Sequence, residues 1–139
     1  MATLKYTIAI TSDDAFPQAV AFSRTSTLDI DGDSSAIGER EVGTALESIL
    51  PTTDAGTVAI ESRAFIYIKN DGGSTDNKLI VTVQDGDGDG SSSDADVMQL
   101  SGGDQVCFMY KHEDGTAKDV QVKSDTGTAY FSYAFCELT

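Results

Sequence analysis

The sequence predicts an all-β protein, an antiparallel β-sandwich or jelly roll with at most one short helix. Three observations carry this. Apolar residues alternate with polar ones at period two in most ordered-looking segments, as in LKYTIAIT and AFIYIK. Turn residues rich in Asp, Gly and Ser recur at short intervals. The spacings between them leave little room for crossover helices, so neighbouring strands should run antiparallel.

Taken in order, the first strand is expected over residues 4–11 and a second, in one or two pieces, over residues 20–30. The Thr-, Ser- and Asp-rich stretch around residues 23–35 marks the N-terminal part as the less regular one. In residues 39–50, Val42, Ala45, Leu46 and Ile49 recur at helical spacing before Pro51, which predicts a short helix. Gly43 and the alternation Val42/Thr44/Leu46 leave a strand as the alternative. Further strands are expected over residues 57–69, 79–84, 97–100, 105–111, 119–123 and 129–138, separated by breakers such as Asp71-Gly72-Gly73, Ser101-Gly102-Gly103-Asp104 and Asp125-Thr126-Gly127. No internal repeat or linker divides the chain, and 139 residues suffice for a single domain spanning 1–139 with a real core.

A formal net charge of −14 argues against phosphate backbones and anionic membrane surfaces as partners. The start of the chain lacks the pattern of a cleaved signal, and no apolar run approaches the roughly 18 residues of a bilayer span, so the expectation is a soluble chain without a membrane partner. Cys107 and Cys136 lack metal-ligand spacing and read as core thiols.

Catalytic chemistry finds little support. The one histidine, His112, falls in a turn, and the carboxylates lie mostly in loops beside Gly and Ser, where nothing raises a pKa for acid or base work. The expectation is a protein that is not an enzyme, with no catalytic residues. The run DGDGDGSSSDAD from Asp85 matches a calcium-loop template in spacing: Asp85, Asp87, Asp89, Gly90, Ser91 for its carbonyl, Ser93 and the closing Asp96. The flanking segments read as strands rather than helices, so the first expectation is a solvated hairpin loop and no cofactor. The alternative is a weak calcium site, on the order of 10⁻⁴ to 10⁻³ M.

From Arg63 onward a longer pattern emerges. A Tyr67-Ile68-Lys69-Asn70 strand end is followed by the 79–83 strand, then Leu100-Ser101-Gly102-Gly103-Asp104, then Asp119-Val120-Gln121-Val122 and Ala129-Tyr130-Phe131-Ser132-Tyr133. In this order the segments resemble small β-sandwich structural proteins of tailed-phage particles. The resemblance covers about the last 75 residues. It implies a location in the virion, a role as capsid cement or decoration protein or as a tail or neck component, and virion partners such as a major capsid protein. A free calcium- or glycan-binding β-sandwich is the other class that the residues leave open.

The last strand bears on partners. Phe131, Tyr133 and Phe135 alternate with Tyr130, Ala134, Cys136 and Leu138, so both faces are largely apolar. Phe65 and Tyr67 repeat this against Ala64, Ile66 and Ile68. A sheet of a sandwich buries one face, and a second apolar face needs its own cover: another subunit, a capsid surface or the chain's N-terminal segment. The expectation is a homo-oligomer or a lattice-bound protein, with Tyr130, Phe131, Tyr133 and Phe135 at or near the contact.

Overall fold

A computed structural model describes residues 2–12, 20–50, 63–73, 75–83, 96–111 and 119–138. These residues form nine strands: β1 (Ala2–Ser12), β2 (Val20–Val42), β3 (Glu47–Ser48), β4 (Arg63–Asn70), β5 (Leu79–Val83), β6 (Asp96–Leu100), β7 (Gln105–Lys111), β8 (Val120–Ser124) and β9 (Ala129–Leu138). One sheet has the order β1-β2-β9-β4-β7 and the other β3-β8-β5-β6, with every pairing antiparallel. Setting β1 aside, the order of β2 to β9 is that of a jelly roll: two interlocked Greek keys in which the chain crosses between sheets at each connection except β5 to β6. β1 adds a fifth strand at one edge.

The alternation read from the sequence places the core. Ala64, Ile66 and Ile68 of β4, Phe131 and Phe135 of β9 and Val42 of β2 point inward from one sheet, and Leu79, Val81, Val120 and Val122 meet them from the other. All are buried, so the two inner faces enclose one apolar layer.

Residues 39–50 contain no helix. Glu39 to Val42 extend β2 and pair with Ser132 to Ala129 of β9, and the chain then crosses to the second sheet as β3. Val42, Ile49 and Leu50 are buried, but Ala45 and Leu46, which a helix would have needed on the same face, are exposed. Pairing with β9 leaves Val42 buried, and the Gly43 carbonyl accepts from the Ser124 amide (2.7 Å) at the corner. The stretch around 23–35 lies within β2, and its irregularity is confined to a register shift between Ile30 and Ser35.

The Asn70 strand end and the Ser101–Asp104 turn meet in space. Asn70, at the end of β4 and fully buried, donates through Nδ2 to the carbonyls of Leu100 (3.0 Å) and Asn77 (3.1 Å), and its Oδ1 accepts from the Gly72 amide (3.0 Å). Its own amide donates to the Asp104 carbonyl and its carbonyl accepts from the Gly103 amide. Gly102 is required here, because a Cβ at that position would lie 1.8 Å from the Gly73 carbonyl oxygen. One asparagine thus joins two connections at the same end of the sandwich.

Candidate functional site: the outer face of the five-stranded sheet

The outer face of the five-stranded sheet is where the structure departs from an ordinary sandwich. Register places Ser35, Cys136, Phe65 and Met109 in one row across β2, β9, β4 and β7, and Ile37, Ala134, Tyr67 and Cys107 in the next. Both rows are mostly apolar, on the side away from the core. Below them follow Glu39, Ser132, Lys69 and Gln105, and then Glu41, Tyr130 and Asp71.

Part of this face is covered by the chain itself. β1 and the first half of β2 form a hairpin arm paired without interruption from Ala2↔Ile30 to Ser12↔Val20. Leu4, Tyr6 and Leu28 of the arm pack, with Tyr67 of the sheet, against Phe65, Cys136 and Leu138, and the rings of Tyr6 and Phe65 lie 5.3 Å apart in a tilted stack. The cover is incomplete. Ile37 is 86% exposed, Tyr130 60% and Met109 49%. Between Leu4 of the arm and Ile37, Ala134, Phe65 and Cys136 of the sheet runs an apolar groove of about 470 Å³.

Toward the polar end, a second groove of about 410 Å³ is lined by Glu39, Arg40, Glu41, Asp71, Tyr130 and Phe131. Two of its charges, Arg40 and Asp71, are engaged. Arg40 pairs with Glu47 (2.6 Å) and lies over the Phe131 ring at 5.7 Å. Asp71 accepts from Lys69 (2.8 Å) and from the Ser132 hydroxyl. These bonds favour both charged forms, so the Asp71 carboxyl is held below its ordinary value and the Lys69 ammonium above its own. Asp71 is therefore a fixed anion near neutral pH.

Perturbed groups also occur away from the outer face. Burial raises the Asp119 carboxyl, partly offset by hydrogen bonds from Ser48 (Oγ to Oδ1 2.7 Å) and Gln121. Burial, with the nearby Asp119 charge second, pushes Tyr110 up to about 12. Asp119 accepts from Ser48, whose Oγ also accepts from the Leu50 amide, so the carboxylate anchors the end of β3. Sequence reasoning finds loop carboxylates only, and nothing in Lys118-Asp119-Val120 signals that Ser48 closes over this one.

The four residues expected at a contact separate. Phe131 and Phe135 are core residues, which corrects that expectation: inward alternation on β9 buries them against the opposite sheet. Tyr133 is half-buried against the same core. Only Tyr130 presents an open surface. Cys136 is a buried thiol, its pKa raised by burial, whereas Cys107 is exposed on the outer face rather than in the core. Of the calcium candidates, Asp85, Asp87, Asp89 and Ser91 lie outside the described residues, as does His112. Asp96 opens β6 and pairs with Val83, the last residue of β5. Among the described residues no group of three or more metal-ligating side chains converges.

Comparison with known proteins yields no relative: no family model, no curated protein and no solved structure matches the chain.

Proposed function

We propose that the protein is a non-enzymatic structural component of a virus particle, a capsid cement or decoration protein that works through protein–protein contacts with a lattice such as that of a major capsid protein. The jelly roll is a frame common to viral capsid proteins, lectins and cupins, so this part of the argument is an analogy of fold. The observation that carries the reading is the outer sheet face. Its apolar rows continue beyond the arm that covers them to the open side chains of Ile37 and Met109, and the open ring of Tyr130 extends the face toward its polar end. Exposed apolar residues grouped on one rigid face are the anatomy of a contact surface. Co-sedimentation with assembled particles tests the reading. The parent should pellet with particles, and Ile37→Asp with Tyr130→Ser should release it without loss of folding. A parent that stays in the supernatant at every ratio overturns it.

A glycan-binding module is a second reading, favoured by one observation: Tyr130 stands open beside Glu39, Glu41 and Asp71 along the polar groove, an aromatic platform flanked by hydrogen-bond acceptors. Titration calorimetry against an oligosaccharide panel distinguishes it, since saturable heat abolished by Tyr130→Ala belongs to this reading alone.

A further inference from the structure

We infer that the apolar groove on the outer face receives the far half of the arm of a second copy of this chain, so that copies associate by exchanging their β1–β2 hairpins. The inference rests on reading this face as a contact surface, and it names the partner.

The arm is the first part of the argument. β9 ends at Leu138, opposite Ile30, so among the described residues 20–29 of β2 have β1 as their one paired neighbour. Up to Tyr6 and Leu28 the resulting two-stranded ribbon rests on the sheet. Beyond that point it stands clear: Thr7, Ile8 and Ala9 are all exposed, and so are Thr25, Arg24 and Ser23 across from them. Both faces are therefore open, and Ile8, which continues the side of Leu4 and Tyr6, is 41% exposed. A two-stranded hairpin without a third strand or an apolar cover is marginal in water. This one therefore needs a surface.

Its own groove is out of reach. Leu4 lines that groove, and Ile8 lies four residues further along the same strand, about 13 Å away at the rise of an extended chain. The hairpin register, uninterrupted over the whole of β1, prevents the far half from folding back. An identical groove on a second molecule has no such restriction, and a visiting arm would lie beside the resident Leu4, extending an existing arm-to-sheet contact.

Charge favours the same partner. Arg24 stands directly opposite Ile8 on the same side of the ribbon, although residues 2–30 as a whole hold Lys5 and Arg24 against Asp13, Asp14 and Asp29, on a chain whose formal charge is −14. On the receiving face, Glu39 and Glu41 follow Ile37 on the outer side of β2. Two copies repel through their net charge, but Arg24 beside Ile8 and Glu39 beside Ile37 attract locally where the two isoleucines would meet.

The test uses the purified full chain. Sedimentation velocity over a concentration series should show reversible association, and Ile8→Asp and Ile37→Asp should each weaken it by tenfold or more with melting curves unchanged. For the contact itself, Ile8→Cys and Ile37→Cys are prepared separately, each with Cys107→Ser, then mixed and treated with a short bis-maleimide. The cross-link should form between the two different variants and not within either alone. A monomeric parent, association indifferent to both Asp substitutions, or cross-linking of Ile8→Cys chains to each other would overturn the inference. A monomer that still pellets with particles would refute arm exchange and leave the virion reading standing, whereas exchange without particle binding would do the reverse.

Discussion

In the body of the sandwich, Phe131 and Ile66 are enclosed by two sheets and lie on β9 and β4, which are paired on both sides; in the arm, Ile8 has one paired strand and open water on its apolar side. Both regions follow the same period-two pattern. What differs is whether the chain supplies a second surface. The body is complete in itself, and the arm is complete only where Phe65, Cys136 and Leu138 lie beneath it. Stability should therefore be concentrated in the first region and association in the second.

The largest effect should come from the body. Phe131→Ala removes a fully buried ring and should cost about 3–5 kcal/mol in a urea unfolding curve. Asn70→Ala tests the junction of the two turn motifs. It leaves the Leu100 and Asn77 carbonyls without their donor and should cost about 2–3 kcal/mol. A loss below about 0.5 kcal/mol would mean that water replaces the side chain at no penalty.

Much of the body is legible in the amino-acid sequence. Alternation sorts the two faces of β9 and β4 correctly, and the Asn70 and Gly102-Gly103 motifs are the two halves of one contact. Period two, however, says which residues share a face and not what covers it. Phe131 and Phe135 read as interface candidates because both sides of β9 are apolar, and only the folded chain shows one side turned to the core and the other to the arm. The helix expected over residues 39–50 fails for a related reason: its spacing is local, but β9 and the crossing to β3 decide the outcome. Ile37 carries no signal in its neighbours Ala36 and Gly38 that it would be left open.

Smaller effects separate the regions further. Tyr6→Ala removes the ring stacked on Phe65 and should cost about 1–2 kcal/mol, the value of a partly buried aromatic, because the arm can loosen while the sandwich remains. A loss as large as that for Phe131→Ala would show the arm to be part of the same cooperative core.

The pH dependence should be smaller still and divided in sign. Asp119 has a folded pKa raised by burial, so the folded chain binds this proton more tightly than the unfolded chain does. Its contribution to stability falls as pH rises from the ordinary value of 3.8 through the raised one, and stays lower at neutral pH. Asp119→Asn retains an oxygen to accept from Ser48 and should raise the melting temperature at pH 7 relative to the parent, with the difference vanishing near pH 3. Asp71 has the opposite shift: its contribution is present above 3.8 and lost as pH falls through the lowered value. Asp71→Asn should therefore lower stability at pH 7, and by little, since the pair with Lys69 is exposed.

The difference between a closed body and an arm that seeks a partner is measured most directly by amide hydrogen exchange at two protein concentrations. Amides of β4, β5, β8 and β9 should exchange at the same slow rate in dilute and concentrated protein, while those of residues 7–12 and 20–26 should be weakly protected when dilute and markedly better protected when concentrated. Arm amides as slow as the body in dilute protein, with no dependence on concentration, would contradict this account.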